Sequence, residues 1–461
     1  MSSFSATRTR VPLLAALLFC TLGTAPLVRA QTPDSVSIPL QILPLAGGAY
    51  RLGIDISIGG APSRTYLLDT GSQPFFSGYY NGAVWWGNAT PTGASGNYGY
   101  TGGFAYHYNV VTTNVTLGGN PLATAVNVNM GQVVAKLLGP EKKVDQSFVD
   151  LMEAGKPPEG NLFWGTLGAN PMAAQDGFFS ILGQLPGNLS NGFIIHTGGR
   201  GGNASLTLGP TDTLRSKFPI TVPMEGQNTT VTFPNSGQPT YQEALLTGQI
   251  LVSNGNTSYA VVVPVILDTG DPSSVLYQDL TVAVPSALVT AVKSGNTTTN
   301  YLGNGTTFTL SVQGEPGSTN WVWNFIAGQL QSNNQVVLEQ GGGNLNTGLS
   351  EFFSFDVMFD LQNGVIGFRA LPAPTVGLKV NGAEKRMTRQ TKITLRGTAT
   401  ASSVVSFVGV VVPGRKAQIA SGTTSWQATV PLNYGQNTIS VRAHSVDGLV
   451  TPAQKIVVRR Y

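Results

Sequence analysis

The sequence predicts an all-β protein: a body of two linked lobes followed by a small β-sandwich. Three observations carry this. The composition favours turns and strands, apolar runs are short and alternate with polar residues, and one strand-and-turn unit occurs twice at domain-scale spacing. The chain has 461 residues, with 57 Gly and 28 Pro, and only 10% of it is charged. Soluble proteins usually carry about a quarter charged residues. Gly and Pro set tight turns, and Val and Thr suit a pleated surface better than a helix. A chain of this length can bury a sizeable core spread over two or three domains.

Residues 1–30 read as a signal peptide. Arg8 and Arg10 precede the apolar run Val11–Leu22, and Val28-Arg29-Ala30 ends in the small-residue pattern of a cleavage site. The run is shorter than the roughly 18 apolar residues that span a bilayer, and no later stretch reaches that length. The expected location is secreted, periplasmic or in the cell envelope. The single cysteine, Cys20, lies in this segment behind a bulky Phe19, which does not suit lipidation. A mature chain starting at Gln31 therefore has no disulfide, thiolate zinc site or cysteine nucleophile, and depends on its core for stability.

From residue 31 onward the elements follow in order. Tyr50–Gly60 alternates apolar and other residues and then turns at two glycines, a strand-and-hairpin pattern. Thr65–Leu68 continues as a strand into Asp69-Thr70-Gly71-Ser72. Helical patterns are few: Val144–Ala154 puts Phe148, Leu151 and Met152 on one face, and Ser286–Lys293 follows Pro285. Thr240–Leu251 and Tyr259–Leu267 read as strands, the second entering Asp268-Thr269-Gly270-Asp271. These patterns divide the body into lobes at 31–220 and 221–370.

A Pro-rich joint at Leu371-Pro372-Ala373-Pro374 opens the last unit, 371–461. Lys392–Gly397, Val404–Val412, Ser425–Val430, Thr438–Ala443 and Lys455–Arg459 are closely spaced strands, as in an immunoglobulin-like sandwich. This unit has 12 basic residues against Glu384 and Asp447, a net charge of +10, while residues 31–370 carry −9. Such a module is expected to attract an anionic glycan or envelope surface through screened electrostatics. No nucleic-acid partner is expected.

The repeated unit carries the chemistry. Leu67-Leu68-Asp69-Thr70-Gly71-Ser72 and Ile266-Leu267-Asp268-Thr269-Gly270-Asp271 stand 199 residues apart, counted from Asp to Asp. One copy alone would be an ordinary strand ending in a turn. Two copies behind apolar pairs should arise by chance in about one chain in a thousand. Two carboxylates held ~3 Å apart cannot both ionise, so they share a proton. One can then take a proton from water while the other gives one to a carbonyl oxygen. Gly after Asp-Thr permits a sharp turn, and the Thr hydroxyl can brace the opposite loop.

On these motifs the body, from about Tyr50 to Ala370, resembles the pepsin-like aspartic peptidases. Other segments agree in order. Tyr50-x3-Ile54-x-Ile56-x-Ile58-Gly59 is similar to the family's opening strand. Tyr100-Thr101-Gly102-Gly103, running to Leu117-Gly118-Gly119, resembles the flap hairpin whose tyrosine covers substrate; Tyr98-Gly99 is an alternative for that role. Phe178-Phe179-Ser180-Ile181-Leu182-Gly183 is similar to the strand threaded beneath the first active-site loop, and Val357–Phe368 to the closing pair. The resemblance implies a bilobal pepsin-like fold and a secreted aspartic endopeptidase acting on polypeptides at acidic pH without a cofactor or metal. It implies Asp69 and Asp268 as the catalytic pair, with Thr70, Gly71, Ser72, Thr269, Gly270 and Asp271 shaping the loops and Tyr100 in the flap. Little chain precedes the first body strand, so no long inhibitory pro-segment is expected.

Two departures stand out. The family places Ser or Thr three residues after each catalytic Asp; Ser72 fits, but Asp271 brings a third carboxylate. The second loop's supporting strand would be Asn346-Thr347-Gly348, polar where the family is apolar. They motivate an alternative, a catalytically inactive binding protein on the same fold, inhibitor-like or carbohydrate-binding. Among other candidates, His107, His196 and His444 are scattered without metal-ligand spacing, and no Gly-x-Ser-x-Gly elbow occurs. Trp85-Trp86 and Tyr79-Tyr80 could stack on sugars but are expected to pack in the core or cleft wall.

Overall fold

Strands account for most of the described chain, as the composition predicts. The structure, a computed structural model, describes residues 34–461 apart from 46–48, 174–175, 201, 225–226, 242–245, 296, 329–333, 372–375, 382–385, 402–404, 416 and 446–450. The expected signal segment and the Pro-rich joint at 372–374 lie outside the described residues. No described helix is long and apolar enough to cross a membrane.

The first half builds most of a 14-stranded sheet. Tyr50–Ile58 pairs with both Val36–Pro44 and Arg64–Asp69, its alternate residues Ile54, Ile56 and Ile58 fully buried. The second half builds a nine-stranded sheet around Leu246–Asn254 and Thr257–Ile266. The halves are stitched together: Phe355–Asp360, late in the body, pairs with Gly192–His196 from the first half. Val365–Ala370 then bridges Phe355–Asp360 and Ile220–Pro223. One apolar cluster accordingly contains residues of both halves, including Leu68 and Leu167 with Val265 and Leu267. That shared core fixes the two Asp-Thr-Gly loops relative to each other.

One local expectation is corrected. Ser286–Lys293 is not a helix: Ser286–Leu288 makes one 3₁₀ turn, and Val289–Ser294 is a strand paired with Thr297–Leu302. Pro285 sets the turn, but Val289, Thr290 and Val292 are β-branched, and their stiff side chains fit a hairpin. The other helix does form, as Gln146–Glu153. Asp145 caps it, its carboxylate accepting from the Ser147 and Phe148 N–H groups, and Phe148 and Met152 are buried.

The final unit consists of two further sheets over a core of their own. Val376–Val380, Lys392–Ala401 and Ser425–Pro431 form one; Arg386–Thr388, Gln454–Arg460, Gly435–Ser445, Val405–Val411 and Gln418–Ile419 form the other. Alternation is strict in Ser425–Pro431, where Trp426, Ala428 and Val430 turn inward. Lys379, Arg389, Lys392, Arg396, Arg415, Arg442, Lys455 and Arg459 are exposed. The additional β domain is thus present.

Candidate active site

The two Asp-Thr-Gly loops leave the sheets in the same way. Arg64–Asp69 lies between Tyr50–Ile58 and Gly165–Gly168, the latter parallel, with Leu67 opposite Thr166 and Asp69 opposite Gly168. Thr257–Ile266 lies between Leu246–Asn254 and Asn344–Asn346, the latter again parallel, with Ile266 opposite Asn346. This corrects the first supporting strand: Gly165-Thr166-Leu167-Gly168 runs beneath the loop. Within the expected Phe178–Gly183 segment, Leu182 and Gly183 open a 3₁₀ turn, Leu182–Gln184. Both segments end apolar-Gly, and only the paired register separates them. The second support falls where the sequence places it.

The loops grip each other through their threonines. The Thr70 hydroxyl donates to the Leu267 carbonyl at 2.7 Å and accepts from the Thr269 N–H at 2.9 Å. The Thr269 hydroxyl donates to the Leu68 carbonyl at 2.7 Å and accepts from the Thr70 N–H at 3.1 Å. Both side chains are buried. The glycines allow the closest approach. A Cβ on Gly71 would stand 2.6 Å from Asp268 Cγ, and one on Gly270 would stand 2.5 Å from Asp69 Oδ1. Any side chain there would displace the opposite carboxylate.

Asp69 and Asp268 meet across this interface. Asp69 accepts from the Gly71 N–H at 2.8 Å on Oδ1 and from the Ser72 hydroxyl at 2.6 Å on Oδ2. Asp268 accepts from the Gly270 N–H at 2.7 Å on Oδ1 and from Asn346 Nδ2 at 2.6 Å on Oδ2. Burial pushes the Asp69 carboxyl up to about 8; the charge of Asp268 adds to the rise, and the Ser72 hydrogen bond opposes it. The pair is thus arranged to share a proton.

Asp271 does not take the place of a serine. Its carboxylate accepts from the Ser273 N–H at 3.1 Å, closing a local turn. Burial lifts it to about 6, with the Ser273 bond and the Arg51 charge opposing the rise and the Asp268 charge adding to it. Arg51, which sequence reasoning did not single out, donates from Nη1 to the Gly270 carbonyl at 2.5 Å and ties the opening strand to the second loop. No local signal marks it, because the contact spans 219 residues.

The hairpin Ala89–Tyr100 and Phe104–Leu117 turns at residues 101–103. Tyr100 stacks on Phe104 with ring centroids 4.8 Å apart. Burial, followed by the nearby charge of Asp69, pushes its hydroxyl well above the ordinary tyrosine range, opposed by Ser72. The Tyr100 hydroxyl is buried without a hydrogen-bond partner among the described residues. Tyr98 packs on Phe76 in the cluster behind it, with centroids 5.3 Å apart. At the hairpin tip, Thr101 lies beside the Tyr277 hydroxyl of the second sheet. The hairpin thus spans from one half to the other.

Trp85 and Trp86 serve packing: both indole N–H groups donate to the Gly78 carbonyl, and Trp85 lies 4.1 Å from Trp164, centroid to centroid. A cavity of about 230 Å³ adjoins the first supporting strand, lined by Leu67, Thr166, Tyr106, Lys136 and Glu159 among others. Among the described residues, no group of three or more His, Cys, Asp or Glu side chains is placed to hold a metal ion.

No family model matches the sequence, and no curated protein matches it. In structure the chain is similar to the aspartic proteinase from Irpex lacteus, at 17% identity and a TM-score of 0.44, over 73% of this chain and 97% of that one.

Proposed function

We propose that the protein is an aspartic endopeptidase that hydrolyses polypeptides with a water activated between Asp69 and Asp268. The observation that carries this reading is the doubled geometry. Two Asp-Thr-Gly loops exchange hydroxyl bonds and hold two carboxylates together, each with its own backbone and side-chain donor. With one proton between them, one carboxyl takes a proton from the attacking water and the other gives one to the peptide carbonyl. Tyr100 at the hairpin tip would cover a bound chain and exclude water.

The rival reading, an inactive binding protein, drew on Asp271 and on the polar strand at Asn346. The bond from Asn346 to Asp268 favours the enzyme over it. The reading extends to export: the signal-like residues 1–30 would take the chain to the envelope or beyond, and the basic final unit would hold it on anionic glycans or envelope polymers.

The test is cleavage of an unfolded protein across pH, with and without pepstatin, using wild type, Asp69→Asn and Asp268→Asn. The expected result is pepstatin-sensitive cleavage lost in both variants. Burial and the charge of Asp268 push Asp69 upward, so the pair should keep its shared proton above the ordinary carboxylate range. Cleavage should be fastest in acid and fall as pH rises through that raised value and the pair loses its last proton. Folded wild type that cleaves at no pH overturns the proposal, and cleavage surviving Asp268→Asn shows the pair to be wrongly placed.

A further inference from the structure

The two half-sites are alike except at one bond. Three residues after Asp69, the Ser72 hydroxyl donates to the outer carboxylate oxygen at 2.6 Å. Three residues after Asp268 stands Asp271, which has no such hydroxyl and bonds Ser273 instead. The outer oxygen of Asp268 nevertheless has a donor at the same 2.6 Å, Asn346 Nδ2 from the supporting strand.

The orientation of that amide is fixed by its other end. Asn346 Oδ1 accepts from the Gly348 N–H at 2.9 Å. A backbone N–H can only donate, so the oxygen must face Gly348 and the nitrogen must face Asp268. The backbone is held equally firmly, since Asn346 pairs with Ile266 on one side and Val275 on the other. The side chain is only 5% exposed, leaving little water to replace the bond.

Resting on the peptidase reading, we propose that Asn346 is the positioning residue that completes the second half-site in place of the missing hydroxyl and holds Asp268 as the carboxylate of the pair. A hydroxyl can donate or accept, so Ser72 tolerates either protonation state of Asp69. An amide NH₂ can only donate, so its bond to the outer oxygen favours the charged form of Asp268. The shared proton is left to Asp69, in keeping with the upward push on that carboxyl. The roles then divide. Asp268 takes a proton from the attacking water, the water oxygen bonds to the peptide carbon, and the Asp69 proton passes to the carbonyl oxygen. The product of this step is a neutral diol, with the proton now on Asp268.

The test compares wild type with Asn346→Leu and the double variant Asp271→Ser/Asn346→Leu. Asn346→Leu keeps the branched outline, though its methyl groups are bulkier, and removes the donor; Asp271→Ser supplies a hydroxyl at the position equivalent to Ser72. Expected for Asn346→Leu is a kcat loss of about tenfold or more with little change in KM. The low-pH limb of the rate profile should move up by about one to two pH units, because the lost donor favoured the charged form. The double variant should regain most of the kcat and the original limb. Carbon-detected NMR of labelled aspartates reads the lower apparent titration of the pair directly and should show the same upward move. An active Asn346→Leu enzyme with unchanged kcat and pH profile overturns the inference and leaves the peptidase reading intact. A kcat loss without the pH shift, and not restored by Asp271→Ser, assigns Asn346 to folding alone and also overturns it. If wild type cleaves nothing, the peptidase reading fails, and the NMR titration still decides whether Asn346 sets the charge of the pair.

Discussion

Replacing Thr269 by Val tests the grip between the loops. Valine keeps the shape of threonine and removes the hydroxyl, which donates to the Leu68 carbonyl and accepts from the Thr70 N–H. Both backbone groups would be left without a partner in a site where Thr70 is 2% and Thr269 0% exposed. Each buried, unpaired group costs about 1–3 kcal/mol, so Thr269→Val should lose about 2–6 kcal/mol. That is a large share of the roughly 5–15 kcal/mol by which a domain is usually stable. Thr70→Val strands the Leu267 carbonyl and the Thr269 N–H in the same way and should cost a similar amount. Each hydroxyl accepts from the other threonine's N–H, so the two belong to one network and the double variant should depart from the sum by about 0.5–3 kcal/mol, which a double-mutant cycle measures. Urea unfolding followed by tryptophan fluorescence gives these differences as midpoint shifts. Thr269→Ser, which keeps the hydroxyl, is the control and should stay close to wild type. Either Val variant within about 0.5 kcal/mol of wild type, a change typical of an ordinary surface site, would refute the reasoning.

Gly71→Ala and Gly270→Ala should each fold yet lose about a hundredfold in kcat, because the new methyl drives the opposite carboxylate out of line; cleavage at the wild-type rate would contradict the geometry. Glu351 is fully buried with no hydrogen-bond partner for its carboxyl oxygens among the described residues, and burial pushes it well above the ordinary glutamate range. Its stabilising contribution is complete below the unfolded value of about 4.3 and declines as pH rises toward the folded value, by at most about 1.4 kcal/mol per pH unit. Glu351→Gln should therefore melt higher than wild type near pH 7 and show no such gain at pH 4; a difference independent of pH would refute this. The basic final unit should retain the full chain on a polyanionic resin at low salt and release it as salt rises, while a chain ending at Ala370 passes through; retention insensitive to salt would sink the electrostatic account.

Much of the site could be read from the chain because its local units are self-contained. An apolar strand followed by Asp-Thr-Gly announces both the turn and the residue it presents, and the pair at positions 69 and 268 implies two matched loops. The Gly-rich turn after Tyr100 and the helix that buries Phe148 and Met152 were legible for the same reason, since periodicity and turn chemistry act within a few residues. Where propensity competes with pairing, the sequence misleads. Ser286–Lys293 looks helical until a partner strand at Thr297–Leu302 is available. Several apolar-Gly segments follow the first loop, among them Leu167-Gly168 and Leu182-Gly183, and only parallel pairing selects Gly165–Gly168.

The sequence by itself determined the all-β class, the two Asp-Thr-Gly loops and the charge contrast between body and tail, all properties of residue type and short-range order. Tertiary structure alone decided which donor reaches each carboxylate. Asn346 looks like a fault in an apolar strand, yet strand pairing 78 residues beyond Asp268 aims its amide at the oxygen that Asp271 leaves without a donor. Burial likewise separates chemically identical side chains, lifting Asp69 to about 8 and Asp271 to about 6. Hydrogen bonding and desolvation depend on distances of a few ångströms between residues far apart in sequence, and only the folded chain sets those distances.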